Sequence, residues 1–263
     1  MKNNMSQCKR KGARRLKEKV IYEVLRIVDG KAIFLENHLM RMKNSFELIG
    51  ERFSLSYEEI IMQIDKLIKN ENKFNGNVKI TYEIYKKELR IFFIEHSYPS
   101  NEMYENGVKT ILYFGERENP NAKIVNEEFR EKVNKEIKDK NVYEAILVDN
   151  NGHITEGSRS NIFMIKDNKL LTSHTKVVLP GVTRGEIIKL AEKLGIETRE
   201  VEYKYSDIEK LDGMFISGTS PKVLPINQVN NIGLDANNNI IRKLMLEYDN
   251  QVKRYINMKL IEV

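Results

Sequence analysis

A chain of 263 residues with 41% hydrophobic and 31% charged residues can bury the core of one large domain or two small ones, and it reads as a soluble globular protein. No apolar run approaches the ~18–20 residues of a membrane span. The start carries no secretory h-region, and the single cysteine, Cys8, leaves no internal disulfide, so a cytoplasmic location is expected. The formal net charge of +6 is local: residues 1–19 hold eight basic side chains against Glu18, which leaves thirty-six basic and thirty-seven acidic residues elsewhere. The body is therefore near neutral. The basic excess reads as a solvated, partly disordered tail, and neither a nucleic acid nor a membrane is expected as a partner.

In chain order, Val20–Val28 reads as a strand, Asp29-Gly30 as a hairpin turn and Ala32–Leu35 as the returning strand. Leu35, Leu39, Met42, Phe46 and Ile49 recur at helical spacing, with Gly50 as a stop. A second amphipathic helix covers about Tyr57–Lys69, without a secure cap at Ser56. Val78–Tyr82 and Leu89–Ile94 read as strands, and Met103–Phe114 as a loop that ends in a strand. These make a first α+β domain, residues 1–115. A second, larger domain, 116–263, opens near Arg117. Phe129, Val133 and Ile137 mark a helix, and Ala145–Val148, His153–Glu156 and Asn161–Ile165 mark strands around an Asn150-Asn151-Gly152 turn. Val182–Leu194 is a helix stopped by Gly195, Met214–Ser217 a strand and Ile240–Ile256 a last helix. The fold class is α/β (α+β), two mixed domains.

Chemistry-bearing motifs gather in the second half. Leu179-Pro180-Gly181-Val182-Thr183-Arg184 opens a helix, whose N-terminus offers unpaired amides and a positive dipole end; glycine lets an anion approach, and Thr183 adds a hydroxyl. Ser217-Gly218-Thr219-Ser220 follows an apolar strand and is a second anion clasp. Glu156, at a strand end in Thr155-Glu156-Gly157-Ser158-Arg159-Ser160-Asn161, can pair with a protonated ring nitrogen. Lys123, in Asn121-Ala122-Lys123, could attack an aldehyde if held neutral. Taken singly, each is more simply an ordinary capped helix, loop, surface acid or surface lysine. No metal site is predicted.

Order and spacing add what single motifs do not. Tyr22-Glu23-Val24-Leu25-Arg26, Asp29-Gly30-Lys31 and His38-Leu39-Met40-Arg41 are followed by Tyr143-Glu144-Ala145-Ile146-Leu147, Ile154-Thr155-Glu156-Gly157, Ser160-Asn161-Ile162-Phe163, Gly181-Val182-Thr183-Arg184 and Gly218-Thr219. Together these resemble the class IV aminotransferases, the fold-type IV pyridoxal-phosphate enzymes, over roughly Tyr22 to Ile226. The family includes branched-chain aminotransferases, D-amino-acid aminotransferases and aminodeoxychorismate lyases.

The resemblance implies a two-domain fold with the active site between the domains, pyridoxal 5'-phosphate as cofactor and a homodimer. It implies Lys123 as the catalytic, cofactor-bearing lysine, about 20 residues before Tyr143, and Glu156 on the ring nitrogen. The cofactor site is completed by Arg41, Ser160, Asn161, Gly181, Val182, Thr183, Gly218 and Thr219, with Tyr22, Thr219 and Ser220 facing the substrate. His38, Arg41 and Ser45 share one helical face (i, i+3, i+7), away from the apolar stripe. The implied reaction moves an amino group between an amino acid and a 2-oxo acid. Alternatives are 4-amino-4-deoxychorismate lyase activity on the same scaffold and a degenerate, non-catalytic cofactor-binding homologue. Subfamily markers do not choose. Thr81–Arg90 lacks the Arg-x-His pair of D-amino-acid aminotransferases, Glu23 and Val24 stand where the lyases carry threonine, and Tyr22 stands where branched-chain enzymes have phenylalanine.

Overall fold

A computed structural model of the protein describes residues 19–261, so the predicted basic tail, Lys19 apart, lies outside the described residues. It contains two compact units. One runs up to Glu95 and includes Ala122–Val125; the other is His96–Asn121 with Asn126 onward.

The first unit is an antiparallel sheet with two helices. β1 (Val20–Val28) alternates Ile21, Leu25 and Ile27 into the core. Asp29 and Gly30 both take positive φ, the geometry that a two-residue hairpin requires, and the chain returns as β2 (Lys31–Ala32). The returning strand is shorter than the expected Ala32–Leu35. Phe34 turns left-handed (φ 53°) and α1 (Leu35–Leu48) starts directly after it. α2 (Tyr57–Glu71) is capped by Ser56, whose Oγ accepts Glu59 N–H, so this serine is the cap the sequence left unassigned. β3 (Gly76–Glu83) and β4 (Glu88–Ile94) complete the order β2-β1-β3-β4. Leu39, Met42 and Phe46 of α1 and Ile60, Ile64 and Ile68 of α2 pack in one cluster with the inward residues of β1 and β3.

The second unit holds a ten-stranded mixed sheet among the described residues. The stretch expected as loop before its first strand contains α3 (Asn101–Asn106), with Ser100 as N-cap and Gly107 at φ 75° as its stop. β5 (Val108–Phe114) pairs in parallel with β6 (Glu144–Val148), so this strand, which the sequence division placed with the first domain, is hydrogen-bonded into the second sheet. α4 (Glu127–Asp139) lies between them in sequence. β7 (His153–Gly157), β8 (Asn161–Lys166) and β9 (Lys169–Thr172) precede α5 (Val182–Lys193). β10 (Thr198–Glu200), β11 (Tyr203–Lys204), β12 (Gly213–Gly218), β13 (Lys222–Val229), β14 (Ile232–Gly233) and α6 (Asn239–Ile261) follow. The sheet order is β10-β9-β8-β12-β13-β5-β6-β7-β11, with β14 on β13. The apolar centres of β6, β8 and β12 are buried along both faces, which explains why continuous apolar runs and not alternation marked them.

Phe46 is buried edge-to-face against Phe53, with Tyr82 5.0 Å away, while Met40 on the same helix is 64% exposed. Phe46→Ala should cost about 3–5 kcal/mol in urea denaturation, and Met40→Ala less than about 0.5 kcal/mol. Equal losses would contradict this packing.

Candidate active site

The predicted residues form two groups, one in each unit.

In the first unit, the short segment Ala122–Val125 adds to the edge of β1. Tyr22 N–H donates to Lys123 C=O at 3.0 Å, Val125 N–H donates to Val20 C=O at 3.0 Å, and Ile21 bridges Ile124. The amide of Lys123 donates to Ser45 Oγ (3.1 Å), and Ser45 Oγ donates to the Arg41 carbonyl (3.0 Å). Lys123 is therefore fixed by its backbone on both sides, and its Nζ stands 4.7 Å from the centre of the Tyr22 ring. The helical face of His38, Arg41 and Ser45 is buried, beside the apolar stripe and not away from it in solvent. Glu36, Met40, Lys43, Asn44 and Glu47 carry the exposed side of α1.

Between α1 and β1 lies a buried charge cluster. Glu23 Oε1 accepts from Arg41 Nε (2.8 Å) and Oε2 from Arg41 Nη2 (2.6 Å). Glu23 Oε2 also meets His38 Nδ1 at 2.8 Å. A carboxylate can only accept, so His38 Nδ1 carries the proton, and its 3.3 Å approach to Arg41 Nη2 is proximity and not a bond. Burial alone would raise the Glu23 carboxyl; Arg41 and His38 outweigh it and bring the group down to about 2. Burial pushes His38 below its ordinary value against the pull of Glu23, so the imidazole is neutral.

In the second unit, Glu156 is buried at the end of β7. Its Oε1 accepts from Arg117 (2.9 Å) and its Oε2 from the Leu179 amide (3.0 Å). Asn161, at the start of β8, donates from Nδ2 to the Leu179 carbonyl (2.8 Å). A Cβ on Gly181 would run into Asn161 Oδ1, so only glycine allows this approach. Gly181 is the N-cap of α5 and makes no side-chain cap, which leaves the first amides of the helix, at Val182 and Thr183, uncapped by a side chain. Thr183 is buried, and Thr219 and Ser220 form the turn between β12 and β13 after Gly218.

Ser160 faces away from this arrangement's carboxylate. Its Oγ donates to Glu144 (3.2 Å), as does Ser158 Oγ (2.5 Å). A Cβ at Gly157 would strike Ser160 Oγ, so the β7–β8 connection is folded tightly on Glu144. Ser160 thus serves the turn that carries Glu156 and Asn161. Two residues, Arg117 and Glu144, went unassigned from sequence, and Ser217 was named only within the Ser217–Ser220 clasp. Arg117 left no signal. Glu144 left one: a carboxylate opening an otherwise apolar strand. Ser217, beside Asn161 across the β8–β12 pair, has a fully buried hydroxyl with no hydrogen-bond partner among the described residues.

A helix N-terminus without a side-chain cap, a glycine that admits no side chain and an orphaned buried hydroxyl together suit an oxyanion ligand. Residues 20–229 match the family described as amino-transferase class IV, and the chain belongs to that family of enzymes. It is 28% identical over 223 residues to a probable branched-chain-amino-acid aminotransferase of Rickettsia felis, covering 80% of this chain and 77% of that one. A D-alanine aminotransferase of Listeria monocytogenes is 26% identical over 227 residues, 81% and 78% of the two chains. The branched-chain amino acid aminotransferase of Escherichia coli shares the fold, with a TM-score of 0.77 at 24% identity over 86% and 83% of the chains.

Below pH 6.5 the unfolded chain protonates His38 more readily than the folded one, and below 4.5 it does the same at Glu23. Stability should therefore fall as the medium is acidified through 6.5, and more steeply from 4.5 towards 2. Glu23 accounts for about 3 kcal/mol of the loss. Urea midpoints between pH 7.5 and pH 2 test this; a flat profile would contradict it.

Proposed function

We propose that this chain is a pyridoxal-phosphate-dependent transaminase that passes an amino group from an amino acid to a 2-oxo acid, with Lys123 as its catalytic lysine. The observation that carries the reading is the backbone clamp on Lys123, which holds one lysine out of many against β1 and Ser45. When bound, the cofactor supplies an aldehyde that takes up the amino group and an electron-poor ring that stabilises charge on the substrate carbon.

The chain's own residues do the rest. Lys123 Nζ holds the cofactor and, once displaced by substrate, carries the proton off and onto the substrate carbon. Glu156, kept in place by Arg117 and the Leu179 amide, holds a proton on the ring nitrogen. Val182, Thr183, Gly218 and Thr219 receive the phosphate with backbone amides and hydroxyls, and Arg41 adds a guanidinium. Gly181, which admits no side chain beside Asn161, leaves the helix start without a side-chain cap, and the orphaned Ser217 hydroxyl suits the same phosphate. Tyr22, Thr219 and Ser220 line the substrate side. A homodimer working in the cytoplasm fits the family.

The lyase reading shares Lys123 and the cofactor residues, and release of pyruvate from aminodeoxychorismate against transfer of an amino group separates the two. Lys123→Ala should remove the visible absorbance of the lysine-bound cofactor and lower turnover by about 10³-fold or more. Its urea midpoint should stay within about 1 kcal/mol of the parent. Retained turnover would overturn the assignment.

A further inference from the structure

Lys79 is a cation without an acid. β3 sends Val78, Ile80 and Tyr82 into the core, and its alternate residues Lys79 and Thr81 to the opposite face. On that face Lys79 stands between Val24 of β1 and Phe92 of β4, its direct partners in register, with Tyr22 on the diagonal. Other cations of the same sheet have acids close by. Arg90 donates to Glu88 from Nε (2.9 Å) and Nη2 (3.0 Å), and Lys86 reaches Glu83 at 2.7 Å. Lys79 meets no carboxylate among the described residues; its Nζ turns to the Tyr22 ring, 5.4 Å from the centre.

That ring is shared. Lys123 Nζ stands 4.7 Å from the same centre, so the two amines are no further apart than the sum of these distances. β1, β3, β4 and the Ala122–Val125 segment all belong to the first unit, so this geometry lies within one compact body. A half-buried ammonium flanked by apolar side chains gives up hydration, and its donors lack the anion that would compensate. Val24 and Phe92 bring no competing charge, and a setting poor in water strengthens a contact with an anion that arrives.

We propose that Lys79 binds the α-carboxylate that the amino acid and the 2-oxo acid have in common. This rests on the transaminase reading above. The carboxylate is bonded to the α-carbon whose proton Lys123 moves, so the two lysines serve adjacent groups of one substrate across the Tyr22 ring. Lys79 takes no part in the proton transfer; it selects for an acid and fixes which way the substrate lies.

The test uses unreactive probes without an amino or oxo group: pentanoate, its neutral amide pentanamide, and pentanedioate. Each is titrated by calorimetry into the cofactor-loaded, full-length protein. The parent should prefer pentanoate to pentanamide. Lys79→Met removes the charge and keeps the length; it should weaken pentanoate about 10–100-fold and leave pentanamide within about threefold. Lys79→Arg keeps a cation and should recover part of the preference. The visible absorbance of the lysine-bound cofactor should match in parent and variants, as a sign that the fold and Lys123 are intact. A cation that merely covers the Tyr22 ring would move the urea midpoint of Lys79→Met and not its choice between acid and amide. An unchanged choice in a variant with that absorbance, or a parent with no preference, overturns the inference and leaves the transaminase reading intact. A loss confined to pentanedioate assigns Lys79 to a distal carboxylate and overturns the inference as well. If Lys79→Met does not fold, Lys79→Gln decides on the same measure. A parent protein without the absorbance overturns both readings.

Discussion

The structure depends on four residues of chain, Ala122–Val125, being held as an added strand. Backbone bonds to Val20 and Tyr22 on one side and to Ser45 on the other leave Lys123 little backbone freedom. A backbone held at both its amide and its carbonyl loses its conformational entropy in folding, before any ligand binds. An amine that must meet one carbon atom needs this more than it needs any particular neighbour.

The second unit meets the same requirement differently. Glu156 is held by a cation and a backbone amide, and the β7–β8 turn that carries it is folded around the buried Glu144 through two serines. Charges taken out of water must be satisfied by several donors, and here each carboxylate has them. The local rules of an apolar core are broken at Glu23, Glu144, Glu156 and Ser217, and three of these four sites have their polar atoms paired. The exception, Ser217, sits beside Asn161 across the β8–β12 pair.

Much of the fold was legible in the sequence. β1, α1, α4 and α5 follow from apolar periodicity with clear stops, and the Asp29-Gly30 turn from the backbone geometry it permits. The elements missed were short or lacked periodicity. β10, β11 and β14 have two or three residues each, and their pairing is decided by distant partners. Of the site, the glycine and hydroxyl turns could be named because small residues at a helix or strand end have few other uses. The burial of His38, Arg41 and Ser45 could not, since helical spacing gives a face but not what covers it. Glu23 was visible as part of a motif, yet its role as the anion under Arg41 appears only when β1 and α1 pack together.

The most direct test of the account is to reduce the protein with borohydride in the presence of pyridoxal phosphate, digest it and locate the pyridoxyl label by mass spectrometry. The account predicts one label, on the peptide that contains Lys123. A label on another lysine, with Lys123 unmodified, would contradict it.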